Sequence, residues 1–157
     1  AAAGGAGAGV PSVVSAEWAH PQVRGAAPPP CVGHCVARLG VNGLVLFGGF
    51  VGGSTGYSNA LYALQPDKML WTQPSVFCAE GSAAPVARLG ASATALHAHA
   101  ALLLFGAQGG VPLGAVDLLE AAGDDLSEPS CTLCVAQPTL HGAPPPPRFN
   151  HCAALLA

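Results

Sequence analysis

The stretch LVLFGG, Leu44 to Gly49, runs four apolar residues into two glycines, and ALLLFGAQGG, Ala101 to Gly110, nearly repeats it. An apolar run of that length, bounded by turn residues, reads as a buried strand. A second copy makes internal repetition the first question to settle. With LVLFGG set against LLLFGA, Phe47 falls opposite Phe105 at an offset of 58 residues. Upstream of the first lies Pro30-Cys31-Val32-Gly33-His34-Cys35, and upstream of the second Ala87-Arg88-Leu89-Gly90-Ala91-Ser92. A third version, Pro147-Arg148-Phe149-Asn150-His151-Cys152, stands near the end. Downstream, the segment from Asn59 to Leu64 matches the one from Gly114 to Leu119 at an offset of 55. Landmarks recurring in one order, with length differences between them, are the mark of a repeat.

Each unit divides into short strands. In the first, His34 to Leu39 is a small-residue strand, and Val41-Asn42-Gly43 is a tight turn, because Asn-Gly supplies the positive φ of a hairpin. Leu44 to Phe47 is the second strand, Gly48 to Tyr57 a Gly-rich loop, Asn59 to Leu64 the third strand, and Met69 to Gln73 a fourth carrying Trp71. In the second unit the strands are Ala91 to Leu96, Ala101 to Phe105, Ala115 to Leu119 and a segment within Cys131 to Ala136. Residues 113 to 122 lack a clean helical spacing and are bracketed by Gly114 and Gly123, which favours a strand over a helix. Four short strands per unit make one antiparallel sheet of blade size.

The bulk composition agrees. The chain has 157 residues, 51% hydrophobic but only 8% charged, with 21 glycines and 15 prolines, which suits many turns and argues against a helical bundle. The net charge of −3 and the lack of a basic block remove the electrostatic footprint of a nucleic-acid binder. No apolar run reaches the length of a membrane helix, so no membrane partner is expected. Residues 1–15 read as a low-complexity Ala/Gly tether. The final FNHCAALLA stops inside an apolar run, from which a piece of a longer polypeptide is expected. Six cysteines read as reduced, partly buried thiols, which suggests an intracellular, cytoplasmic setting.

Arg-x-Gly-His, an apolar strand closed by Gly-Gly, an Asn-x-Leu-Tyr-x-Leu strand and a Trp together resemble the kelch repeat. The resemblance spans Trp18 to the C-terminus: the last strand of one blade, blade one over about 31–75, blade two over about 86–137, and the start of a further blade at 147–157. It implies an all-β fold of antiparallel four-stranded blades, part of a β-propeller that is incomplete in this chain. Structural roles are implied for Gly33, His34, Phe47, Gly48, Gly49, Tyr62, Trp71, Arg88, Gly90, Phe105, Gly106, Arg148 and His151. Both arginines belong at blade junctions, paired to carbonyls or acids, because an unpaired buried charge is costly. The pattern also departs from the family: Cys31 replaces the Arg in the first unit, and Ala91 replaces the His in the second. There, Asp117 takes the place of the third-strand aromatic, and the Trp is missing.

The resemblance implies a non-catalytic protein-binding scaffold that uses its inter-strand loops, with Phe50, Ser54, Thr55, Tyr57, Asn59, Val111 and Leu113 as contact residues. It further implies a protein partner and remaining blades supplied by the parent chain. A second reading is the propeller portion of a larger enzyme of kelch-linked phosphatase, ligase-adaptor or copper-radical oxidase type. The oxidase needs tyrosines and histidines converging on a central axis, and here both tyrosines fall in one blade. No metal or cofactor is expected. Cys131-x-x-Cys134 is the loudest metal-like motif, but on a strand its thiols point to opposite faces. His97-x-His99 lies at a turn, and Glu120, Asp124, Asp125 and Glu128 read as a solvated acidic loop. Pro144 to Pro147 reads as a spacer between blades.

Overall fold

In a computed structural model the described residues are 17–54 and 56–156; the Ala/Gly tether of 1–15 and Thr55 lie outside them. In chain order the strands are β1 (Arg24–Gly25), β2 (Cys35–Arg38), β3 (Leu44–Phe47), β4 (Phe50–Gly52), β5 (Gly56–Tyr57), β6 (Leu61–Gln65) and β7 (Leu70–Thr72). There follow β8 (Ser75–Cys78), β9 (Ser92–His97), β10 (Ala100–Leu104), β11 (Ala107–Gln108), β12 (Val111–Pro112), β13 (Val116–Ala121) and β14 (Thr132–Ala136). The only helical turn among the described residues is the short 3-10 segment Pro66–Lys68. The structure is all-β.

Two sheets carry the fold, ordered β1-β7-β6-β3-β2 and β8-β14-β13-β10-β9. Within each, four strands pair antiparallel as the sequence predicts: β2–β3–β6–β7 and β9–β10–β13–β14. Residues 113 to 122 hold strand β13, not a helix. Each sheet gains an additional outer strand in parallel: β1 beside β7, and β8 beside β14. This corrects the expectation for the segment from Trp18, whose strand is a lateral addition to the first sheet rather than the end of a preceding one. Backbone pairing drives it: Arg24 N donates to Met69 O at 3.0 Å and Ala26 N to Trp71 O at 2.9 Å.

The sheets pack face to face. Ala37, Val45, Phe47 and Ala63 of the first meet Ala101, Leu103, Leu119, Leu133 and Val135 of the second in one core. Strand alternation produces this: Val45 and Phe47, Ala101 and Leu103, and Leu133 and Val135 each lie two positions apart on one strand. Every fully buried Leu or Val contributes roughly 1.5–3 kcal/mol. Small residues on β2 and β9 let the innermost strands approach. At the sheet ends Gly40 N donates to Ala98 O at 2.6 Å, and Thr72 Oγ1 donates to Leu126 O at 3.0 Å.

The register corrects one sequence alignment. Leu61 faces Phe47, and Val116 faces Leu104. Phe47 therefore corresponds to Leu104, and Phe105 stands where the first unit has Gly48. The backbone agrees: Gly48 and Gly49 have φ of 72° and 96°, while Phe105 and Gly106 have 57° and 114°. A left-handed residue is required at this corner, and the second unit meets the requirement with a phenylalanine at a cost of roughly 1–2 kcal/mol. In the first unit the carbonyl of Arg88 comes so close that a Cβ on Gly48 would lie 2.6 Å from its oxygen.

Candidate functional site

The loops after β3 and β10 fold into matching hairpins at the same end of their sheets. Phe50 pairs with Val32 and Ala107 with Leu89 as isolated bridges, so the hairpins leave their sheets at equivalent points. In the first hairpin β4 pairs with β5, Phe50 opposite Tyr57. Their rings meet edge to face at 5.4 Å, and Phe50 is 37% exposed. In the second, β11 pairs with β12 around Gly109 and Gly110, whose φ values of 60° and 80° fit the two left-handed positions of a tight hairpin turn. Val111 is 62% exposed beside that turn.

The residues expected to make contacts are thus distributed over two protrusions. Phe50, Ser54 and Tyr57 lie on the first hairpin, Val111 on the second, and Thr55 lies outside the described residues. Leu113 is half-buried, and its N–H donates to Gly106 O at 2.8 Å. The Asn59 side chain donates to Pro85 O at 3.2 Å, tying the first unit to the approach of the second.

Of the residues given structural roles, Gly33, Gly49, Arg88, Gly90, Gly106 and Arg148 make backbone bonds that link successive units. Arg88 is fully buried, donates from Nη2 to Asp117 Oδ2 at 2.7 Å, and places its guanidinium 4.9 Å from the centre of the Phe47 ring. Gln137 Nε2 donates to the other Asp117 oxygen at 2.8 Å. Asp117 was read only as a lost aromatic; it is the counter-charge that makes Arg88 tolerable. The clue in the sequence was a carboxylate among apolar residues early in the third strand of the unit that has its Arg. Tyr62, its equivalent, is half-buried beside Leu46 in the unit with Cys31. Trp71 is half-buried on β7, where its carbonyl leaves room only for Gly25.

Gly90 N donates to Gly33 O, and Gly49 N to Arg88 O, both at 2.8 Å. One unit later, Asn150 N donates to Gly90 O at 2.8 Å and Gly106 N to Arg148 O at 2.9 Å. Asn150 adopts φ 53° where its counterparts are glycines. His151 bonds Ser92 Oγ through Nε2 at 2.9 Å and rests 5.2 Å from the Phe105 ring. Burial, helped by the nearby Arg148 charge, lowers its pKa from 6.5. Arg148 is exposed and donates to Pro146 O at 3.1 Å. His34 is exposed and contacts Cys31 Sγ at 3.4 Å through Nδ1, so it is less embedded than its repeat position suggested.

The acidic loop is not simply solvated. Lys68 reaches across from the first sheet to Asp125, to Ser127 Oγ at 2.8 Å and to Glu128 at 3.5 Å. The bonds from Lys68 and Ser127 hold the Asp125 carboxyl down at about 2. Cys131 lies in the core and Cys134, half-buried, on the opposite face of β14. His99 contacts Asp124 at 3.3 Å. Among the described residues no three His, Cys, Asp or Glu side chains come together as a metal site, and no helix is long and apolar enough to cross a membrane.

A family model described as the KLHDC2/KLHL20/DRC7 Kelch-repeats domain matches residues 10–157.

Proposed function

Because the chain belongs to the kelch-repeat family, we propose that it is a non-catalytic scaffold that holds a protein partner on its two hairpins. Domains of this kind serve generally as protein-interaction modules. The observation that carries the finer reading is the placement of the hairpins β4–β5 and β11–β12. They project from equivalent corners of a rigid two-sheet body and present side chains that the core does not use. Loops fixed on a scaffold are where recognition concentrates. The edge-to-face pair of Phe50 and Tyr57 gives the first hairpin an aromatic anchor, of the type enriched in binding hot spots. Ser54 adds a polar contact and Val111 an apolar one on the second hairpin.

The test is capture with a photo-crosslinking residue at Val111, compared between the parent chain and a Phe50→Ala/Tyr57→Ala variant. Loss of a reproducible crosslinked protein, with the melting temperature retained, supports the reading. Undiminished capture by the variant rejects the hairpin face.

A further inference from the structure

Each sheet ends on its outer side in a strand added in parallel, but the two edges differ. β1 has two residues, one of them Arg24, and prolines flank it at Pro21 and Pro28. Short length, charge and proline are the usual guards of an open sheet edge. β8, Ser75-Val76-Phe77-Cys78, is twice as long and has neither charge nor proline. Its side chains are all exposed, Phe77 by 60%. Among the described residues no strand pairs with its outer side. Ala79 N donates to Val135 O at 2.8 Å. Alternation then turns the N–H and C=O of Phe77 toward β14 and those of Val76 and Cys78 outward. An edge lies at right angles to the faces through which the sheets stack, so stacking leaves these groups open.

We propose that β8 is a self-association edge, on which β8 of a second copy of this chain pairs antiparallel with Phe77 on the two-fold axis. The edge is complementary to itself in that register. Val76 stands opposite Cys78 of the other copy, and Cys78 opposite its Val76. These are the residues whose backbone groups point outward, so each such pair exchanges both of its hydrogen bonds. The two copies of Phe77 then form the central pair without mutual hydrogen bonds, with Cα atoms about 4.5 Å apart and rings on one face. Cross-strand aromatic pairs of this kind are favourable. Charge permits the pairing: Glu80 is the only charged residue between positions 74 and 80, and it meets Pro74 of the other copy rather than a second acid. Pro74, which has no N–H, ends the ladder on one side, and the turn that begins at Glu80 ends it on the other. So short a ladder makes a weak, concentration-dependent dimer. It joins two second sheets edge to edge and leaves the hairpins free, so the inference is independent of what they hold.

Sedimentation equilibrium and site-directed disulfide trapping test the edge in the 157-residue chain. The expected result is a monomer–dimer equilibrium. Phe77→Lys should raise its dissociation constant more than about tenfold, because like charges then face each other across the axis. The melting temperature should hold, since Phe77 is exposed. In oxidised glutathione, the Phe77→Cys/Cys78→Ser variant should form a disulfide between the two copies of position 77, identified by mass spectrometry, because that Cα separation suits the bond. Ser75→Cys/Cys78→Ser should not form one, because position 75 faces Ala79 of the other copy in this register. The proposal is overturned if the chain stays monomeric and position 77 forms no disulfide. It is also overturned if Phe77→Lys dimerises as strongly as the parent, which gives the contact to another surface, or if position 75 crosslinks to itself as fast as position 77.

Discussion

Replacing Asp117 with alanine strands the Arg88 guanidinium inside the interface. Arg88 is 0% exposed, so its charge cannot turn to water without opening the seam between the sheets. Among the described residues its 2.7 Å bond to Asp117 is its one bond to an anion, and the Phe47 ring at 4.9 Å supplies only a weak substitute. Gln137 is exposed and resolvates when its carboxylate partner goes, so it adds little. Breaking one side of a buried pair costs about 3–5 kcal/mol, and in a domain of this size each kcal/mol moves the melting temperature by about 2–4 °C. The expected loss is therefore about 6–20 °C, a large share of a stability of about 5–15 kcal/mol. Urea unfolding, followed by the half-buried Trp71, measures it. The double variant Arg88→Cys/Asp117→Tyr, which installs the residues of the first unit, should recover most of the loss because no charge is then left unpaired. If Asp117→Ala shifts stability by less than about 1 kcal/mol, the value of an exposed ion pair, the guanidinium reaches solvent and the reasoning fails.

Gly48→Ala should be more damaging than Gly52→Ala, although both sites have positive φ. The first adds a clash with the Arg88 carbonyl 2.6 Å away, and the second meets nothing within 4 Å. The shared backbone strain is about 1–2 kcal/mol, and loss of the Gly49–Arg88 bond adds about 1 kcal/mol, so paired melts should differ by that increment. Acidification should loosen the loop clasped by Lys68. Asp125 is depressed in the fold to about 2 from its ordinary 3.8, so its contribution is present above 3.8 and is lost as pH falls toward 2. Amide exchange at Leu126 and Cys131 should rise across that window, and an Asp125→Asn variant should exchange faster at neutral pH and change little on acidification. Iodoacetamide should label the exposed Cys78 and Cys152 first and Cys35 last, because burial pushes the Cys35 thiol up to about 11. Early labelling of Cys35 would mean that the core opens.

The strands were legible because their signals are local: alternation, the Asn-Gly turn and paired glycines all lie within a few residues. What sequence reading missed depends on register or long range. The edge strands β1 and β8 carry no periodic pattern; β1 has two residues, and the side chains of β8 are exposed throughout. Lys68 and Asp125 are 57 positions apart and meet only once the sheets stack. The misplaced pairing of Phe47 with Phe105 has a similar origin. Identical letters suggested it, while the pairing of Val116 with Leu104 decided otherwise.

That slip shows what is repeated in this chain. Gly48 and Phe105 share a left-handed backbone with different side chains, as do Gly90 and Asn150. The recurring unit is a set of backbone angles and junction bonds, and glycine is one way of meeting it. Side chains can therefore change at a corner when a compensating partner is present, as Asp117 compensates for Arg88. The hairpins beyond the corners carry no such constraint: one has an edge-to-face pair of aromatic rings, the other a Gly-Gly turn beside Val111. A partner that distinguishes this chain from a regular repeat must read that asymmetry. Exchanging residues 50–57 with 107–112 should then abolish partner capture and leave the two-sheet body folded, as judged by protection of Arg88 from phenylglyoxal.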